Sequence, residues 1–219
     1  MFPRRASPLP GGLRRGLGSL LFVTSDVDTR AVGLKDMPVL ARLFESQRNT
    51  RRCWCMAFCL TRSQFAAGWL TGGNQRQFSA MAATSSTPMG ILASQAGEPV
   101  GWCACGPRSR YVAATSPQNK IMQNRARDED EIVWLLPCLF VRADRRGQGV
   151  THALIRAAVE LARSEGASAI EAWPLAESER RSGDAFLGRE QVFNELGFHC
   201  VERPSPVRVI MRLELEAAE

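Results

Sequence analysis

Lysine and long apolar runs are the two clearest shortages in this sequence of 219 residues. A membrane-spanning helix needs about 20 consecutive apolar residues. The longest apolar run, IVWLLPCLFV at residues 132–141, has only the length of a strand and is interrupted by Pro137. The sequence therefore excludes a membrane-spanning helix. Lysine occurs only as Lys35 and Lys120, so arginine carries nearly all of the positive charge behind the formal net charge of +6. This balance indicates either solvated surface arginines or an anionic ligand, and composition alone does not separate the two.

The sequence also lacks the features of a secreted protein. Its seven cysteines are odd in number, and several lie within apolar stretches, which favours reduced thiols over a disulfide framework. Residues 1–18 are rich in Arg, Pro and Gly and have no signal-peptide pattern. We expect a cytoplasmic protein, with residues 1–18 a disordered extension or the product of a start codon placed too far upstream. Residues 19–219 are expected to form a single domain.

Hydrophobic periodicity predicts the order strand, helices, hairpin, strand, helix, strand, helix and two strands. The segments that carry this prediction are a strand at 19–25, helices at 34–46, 61–70 and 74–83, a hairpin at 89–106, a surface loop at 112–131, a strand at 132–141, a helix at 150–164, a strand at 169–175, a polar loop at 177–184, a helix at 188–196 and two strands within 198–215.

A glycine corner separates the apolar strand from the clearest amphipathic helix. Its residues, RRGQG at 145–149, place Gly147 and Gly149 behind Arg145 and Arg146. The first turn of a helix has unpaired N–H groups and a partial positive charge, and glycine lets an anion approach the backbone. The spacing matches neither the P-loop nor the dinucleotide fingerprint. It predicts a pyrophosphate cradle, with a tight turn that merely needs glycine as the alternative.

The segment VRADRRGQGVTHALIRAAVELARSEGA resembles the acetyl-CoA signature of the GNAT family of N-acetyltransferases. In that signature, Arg or Gln is followed by x-x-Gly-x-Gly/Ala between a strand and a helix. Arg146, Gly149 and Thr151 fill its defined positions, with Thr151 in place of the usual Gly or Ala. The hairpin GEPVGWCACGPRSRY and the closing segment FNELGFHCVERP…VRVIMRLEL are also similar to the family, so the likeness extends over most of the chain.

The resemblance implies an α/β (α+β) fold, the GNAT fold. Its mixed, mostly antiparallel central sheet of about seven strands is flanked by helices and splayed between strands 4 and 5, with Pro137 suited to a bulge in strand 4. Acetyl-CoA would lie in the gap, its pantetheine arm on residues 139–141 and its pyrophosphate on residues 145–151. The implied cofactor-binding residues are Leu139, Phe140, Val141, Arg145, Arg146, Gly147, Gln148, Gly149, Val150, Thr151 and Phe193.

The implied reaction is acetyl transfer to a primary amine by direct attack. Many family members use a tyrosine as the general acid about four residues before the glycine of the GF turn, and Phe193 at that place has no proton to give. Three other residues are candidates for proton transfer: Glu171 in a predicted strand, Cys138 beside the splay, and Tyr111, the only tyrosine. Their ordinary alternatives are a salt-bridged carboxylate, a core thiol and a surface-loop tyrosine.

Several alternatives bear on function. The missing tyrosine favours, as the rival interpretation, a non-catalytic CoA-binding module with a sensory or scaffold role. The segment CWCMAFC at residues 53–59 suggests a metal, but C-x-C is atypical of zinc sites, so we predict no metal and place the segment beside the acceptor. No nucleic-acid-binding motif accompanies the basic charge. The last strands are placed to pair across a homodimer, and the amine acceptor stays open.

Overall fold

The apolar runs of the sequence form a single seven-stranded sheet. The computed structural model of the protein describes residues 27–122, 124–176 and 186–216. Its strands are Asp28–Ala31 (β1), Gly90–Gln95 (β2), Glu98–Pro107 (β3), Val133–Val141 (β4), Ala169–Ala172 (β5), His199–Ser205 (β6) and Arg208–Glu214 (β7). They follow the order β1-β2-β3-β4-β5-β7-β6. Neighbours are antiparallel except β4 and β5, which pair in parallel.

In residues 27–122, 124–176 and 186–216, six α-helices and several 3-10 turns accompany the sheet. The α-helices are Met37–Glu45 (α1), Arg48–Cys53 (α2), Arg62–Thr71 (α3), Gly73–Thr84 (α4), Val150–Ser164 (α5) and Glu190–Glu195 (α6). The 3-10 turns are Leu34–Asp36, Met56–Phe58, Arg108–Arg110, Lys120–Met122 and Ala143–Arg145. In the part of the chain that the structure describes, none of these helices has the length and apolarity to cross a membrane.

Two buried clusters lie against the sheet and explain why the helices pack where they do. The periodic apolar residues of α5, among them Leu154 and Ile155, join the first cluster together with residues of α6. The second cluster contains apolar residues of α1 and α4 and is centred on Trp102. The Trp102 ring meets Phe44 edge-on at a centroid distance of 6.0 Å, an arrangement that aromatic pairs favour.

Strand β4 carries a bulge at Pro137. Ala104 of β3 faces Cys138, but two residues later Gly106 faces Leu135, so β4 contains one more residue than β3 over this stretch. Proline has no N–H to donate to a ladder and is found at bulges and edges. The bulge therefore follows from the amino acid at this position.

Strands β4 and β5 separate immediately before the bulge. Their last paired residues are Leu136 and Ala172. Beyond them the chain turns away, since the Leu175 N–H donates to the carbonyl oxygen of Gly188 and the Glu190 N–H donates to that of Leu175. The prediction of a mostly antiparallel sheet that is splayed between strands 4 and 5 and flanked by helices is confirmed.

Several parts of the predicted element order need comment. The expected strand at 19–25, the extension at 1–18 and the polar loop at 177–184 lie outside the described residues. Helix α2 was not predicted, because its sequence RNTRRC has no apolar periodicity. Segment 112–131 was predicted as a surface loop, and this was partly wrong. It contains a 3-10 turn, and Ala114, Thr115 and Met122 are buried.

Candidate functional site

The glycine corner exposes backbone at the start of α5. Gly147 and Gly149 have φ values of 75° and 79°. Residues other than glycine adopt this left-handed backbone conformation only at a cost in energy. Gly149 is the N-cap of α5 and no side chain caps the helix. A Cβ atom built on Gly147 would have no neighbour within 4 Å. The N–H groups of the first turn of α5 are therefore free of side-chain caps and open to a ligand.

Positive charge surrounds this corner. Arg142 and Arg145 both contact Asp144, at 2.9 and 3.4 Å, and the hydrogen bond from Arg142 is the largest factor lowering the pKa of Asp144. Arg146 is exposed, and among the described residues no carboxylate pairs with it. Three arginines and one aspartate leave the corner with a net positive charge, which favours an anion beside the amides of α5.

The released part of β4 presents backbone groups that are not paired with β5 to the gap. The N–H of Arg142 donates to the carbonyl oxygen of Val100 at 2.9 Å, so it points toward β3. Because this direction alternates along an antiparallel strand, the N–H and C=O groups of Leu139 and Val141 point to the side that β5 has left. The position of Arg146 agrees, since its Nε lies 3.4 Å from the Val141 oxygen.

A two-lobed cleft lies on the α1–α4 side of this gap. The first lobe, of about 260 Å³, is lined by Phe44, Asn49, Thr50, Cys53, Cys55, Ala57, Phe58, Trp69, Cys138 and Phe186. The second lobe, of about 370 Å³, is lined by Ala57, Phe58, Ala113, Ala114, Asn119, Ile121, Trp173, Phe186, Leu187 and Arg208. Ala57, Phe58 and Phe186 belong to both. The first lobe reaches β4 at Cys138 and the second reaches the end of β5 at Trp173, so the cleft opens on both sides of the separation.

Two thiols meet in the wall of the first lobe. The sulfur atoms of Cys55 and Cys138 are 3.3 Å apart, and the Trp102 indole N–H donates to Cys55 Sγ at 3.3 Å. Two causes raise the pKa of Cys55 well above its usual value. The larger is its contact with Cys138, and the second is burial. The Cys55 thiol therefore keeps its proton at neutral pH. Among the described residues no cluster of three or more metal-type ligands occurs.

Glu171 lies in a buried ionic cluster rather than in the cleft lining. Its side chain is fully buried and accepts hydrogen bonds from Arg108 at 3.4 Å, from Arg212 at 3.2 Å and from Arg125. A carboxylate that accepts from three guanidinium groups is held in its charged form. This arrangement commits the Glu171 carboxylate to ion pairing.

The ionic cluster also fixes the segment between β3 and β4. Arg108 is fully buried, and its Nε donates to Asp130 at 2.7 Å. Arg212 of β7 donates to Glu129 at 3.0 Å. These contacts hold both ends of the segment against the sheet and explain why its middle is buried where a surface loop was expected.

Tyr111, another candidate for proton transfer, and Phe193, at the place of the family's usual tyrosine, are also buried. Tyr111 is 2% exposed and its hydroxyl has no partner among the described residues. It lies beside Trp54 and Phe78 and lines neither lobe. Burial raises the pKa of Tyr111 well above its usual value. Phe193 is fully buried, with its ring against Phe198 at 5.2 Å.

Sequence reasoning missed most of the cleft lining. Trp69 was visible only as a helix residue, and Trp173 only as part of a strand. Asn49 and Thr50 belong to α2, which was not predicted. No local pattern marks these residues, because they come together only through the packing of α2, α3 and the segment after β5.

Comparisons with known proteins agree with this geometry. A family model described as "Acetyltransferase (GNAT) family" matches residues 54–186. No curated protein matches the chain. Among solved structures, the N-acetyltransferase from Staphylococcus aureus Mu50 has a TM-score of 0.53 at 12% identity, covering 88% of this chain and 100% of that chain. The PaiA N-acetyltransferase from Thermoplasma acidophilum, in complex with coenzyme A, has a TM-score of 0.50 at 10% identity, covering 86% and 98%.

The ionic cluster yields a test of stability. We expect Glu171→Gln to lower the free energy of unfolding by about 3 kcal/mol, because it leaves buried guanidinium groups without their shared carboxylate. Urea denaturation followed by tryptophan fluorescence measures the effect. The matched control is Glu160→Gln, which removes an exposed carboxylate paired with Arg163 on α5 and should change stability by no more than about 0.5 kcal/mol. Equal midpoints for the two variants would show that the cluster does not stabilise the fold.

Proposed function

Since the chain belongs to the GNAT acetyltransferase family, whose cofactor is acetyl-CoA, we propose that it transfers the acetyl group to a primary amine by direct attack. The observation that carries this proposal is the separation of β4 from β5 directly beside the glycine corner. It places a free strand edge next to an amide-rich, cationic helix start, and we call these two features together the groove. Both are what a long ligand with a diphosphate requires.

The residues of the groove fit the cofactor. The backbone groups of Leu139 and Val141 would hold the amide-containing arm, and the corner from Arg145 to Thr151 would hold the diphosphate. Cα of Gly188 lies so close to Leu139 and Phe193 that an added Cβ would approach their side chains to 3.1 and 2.9 Å. We infer that Phe193 packs the wall of the gap.

When bound, acetyl-CoA supplies an activated acetyl group as a thioester. The chain must then provide a place for a neutral amine, a donor for the developing oxyanion and a proton for the leaving sulfur. We assign the oxyanion donor to the β4 backbone that is free of β5. Of the three candidate side chains only Cys138 lines the cleft, so we assign the proton for the sulfur to Cys138 Sγ, and the proton that the attacking nitrogen loses then restores this thiol. We propose packing and ion-pairing roles for Tyr111 and Glu171.

The proposed cofactor corner is tested by charge reversal. We expect Arg146→Glu to weaken CoA binding by about 30-fold or more, because it replaces a charge-assisted contact with repulsion. Isothermal titration calorimetry measures the change. The control Arg156→Glu makes the same charge change at an exposed position of α5 away from its first turn, and there we expect a change of no more than about twofold. Equal losses in the two variants would argue for non-specific attraction.

The proposed proton donor is tested by removing the thiol. We expect Cys138→Ala to lower kcat by about 100-fold with little change in CoA affinity, which is the low end of general acid catalysis. Cys103→Ala is the matched control, since Cys103 is equally buried but belongs to the cluster on the other face of the sheet. A similar kcat for both variants would remove Cys138 from the mechanism.

A broad amine screen tests the reaction itself. Free-thiol detection should report CoA release with at least one amine. Release with none, in protein that binds CoA by calorimetry, would favour the rival interpretation of a non-catalytic CoA-binding module. The observation behind that rival is the phenylalanine at position 193, where the family's usual acid would stand.

A further inference from the structure

The first lobe of the cleft is aromatic and has no carboxylate among its described residues. The rings of Phe44, Phe58, Trp69 and Phe186 line it, and its polar side chains other than thiols are Asn49 and Thr50. Thr50 is buried and donates its hydroxyl hydrogen to backbone oxygens of α1 and the following turn. Asn49 is exposed, at the rim. No described lining residue carries a charge.

This composition selects among amines by their charge. An alkyl ammonium group with a pKa near that of lysine, about 10.4, is neutral in only about one molecule in a thousand at pH 7.4. Burying the charged form without a counter-ion is costly, and an ammonium held over aromatic rings by cation–π attraction has no lone pair with which to attack. An amine whose nitrogen is attached directly to an aromatic ring is already neutral at this pH.

The size and lining of the lobe suit a flat ring. Dry apolar cavities of about 150 Å³ bind benzene, and the lobe measures about 260 Å³. Its aromatic residues can meet a ring in the offset or edge-on arrangements that such pairs favour. The Cys138 thiol in the same wall lies on the released end of β4.

From these observations we propose that the acceptor is a weakly basic aromatic amine of the aniline type, bound as the neutral base in the first lobe. This proposal rests on the proposed acetyl transfer for its reaction but makes a separate claim about binding. Aromaticity and low basicity are both part of the claim, so its test separates them.

Three probes of similar size distinguish the alternatives. Aniline is aromatic and weakly basic, benzylamine is aromatic and strongly basic, and cyclohexylamine is strongly basic without an aromatic ring. Calorimetry on the full chain saturated with CoA, at pH 7.4, measures their binding without turnover. We expect aniline to bind at least about tenfold more tightly than either of the others, as the scarcity of the neutral alkylamine dictates. Equal or tighter binding of benzylamine or cyclohexylamine would overturn the proposal.

Turnover with acetyl-CoA gives the second measurement. We expect kcat/KM for aniline to stay flat between pH 6 and 7.5, below the usual pKa of a thiol, and that for the alkylamines to rise about tenfold per pH unit as the neutral base appears. Alkylamine turnover that exceeds aniline turnover at pH 7.4 would overturn this inference while supporting the proposed acetyl transfer. Selective aniline binding without CoA release from any probe would support this inference about binding and contradict the proposed acetyl transfer.

A negative charge placed at the rim of the first lobe should change which amine binds more tightly. We expect Asn49→Asp, an isosteric change on the cavity lining, to shift the ratio of cyclohexylamine to aniline affinity by about tenfold toward the ammonium ion. Gln47→Glu makes the same change in charge two residues away, outside the lining, and should leave the ratio within about twofold. An unchanged ratio in Asn49→Asp would show that the missing carboxylate does not set the preference.

Discussion

The missing N–H of Pro137 is the constraint on which the site depends. With a backbone N–H at this position, β4 could continue its ladder with β5. The backbone groups of Leu139 and Val141 would then be hydrogen-bonded to that strand. The bulge instead ends the pairing at Leu136. Because β3 still pairs with β4 on the other side, the released segment stays extended and rigid. The result is a strand edge inside a sheet, held in place from one side and available to a ligand from the other.

A sheet that separates at one end needs attachment at the other, and the ionic cluster provides it. Glu171 is one residue before the last residue of β5 that pairs with β4, and it faces Arg212 of β7 across the sheet. Together with Arg108 it connects β5, β7 and the segment between β3 and β4. Replacing one member of such a buried group is costly because the remaining charges lose their partner. The Glu171 carboxylate therefore serves to hold together the part of the sheet that forms the groove.

The sequence was most informative where structure is set locally. The glycine corner, α5 and the bulge depend on neighbouring residues, and each could be predicted from glycine spacing, apolar periodicity or proline chemistry. The ionic cluster could not, because Glu171 meets partners that are 41 to 63 residues away in sequence. The contact between Cys55 and Cys138 spans 83 residues. For Tyr111 a surface-loop position was the ordinary expectation, because its neighbours in sequence are polar. The anchoring of this segment by Arg108 explains its burial.

Among the described lining residues, the lack of a general base in the cleft and the lack of charge in its first lobe have the same explanation. An amine that enters as a charged ion needs a residue to remove its proton, and the described lining of that lobe contains no carboxylate or imidazole. An amine that is neutral in water needs no residue to remove a proton before attack. During the transfer the nitrogen loses one proton and the departing sulfur gains one, so a thiol in the cavity wall that protonates the sulfur is restored by the proton from the nitrogen. The uneven distribution of charge, cationic at the glycine corner and neutral in the lobe, then corresponds to the two different ligands that the groove must receive.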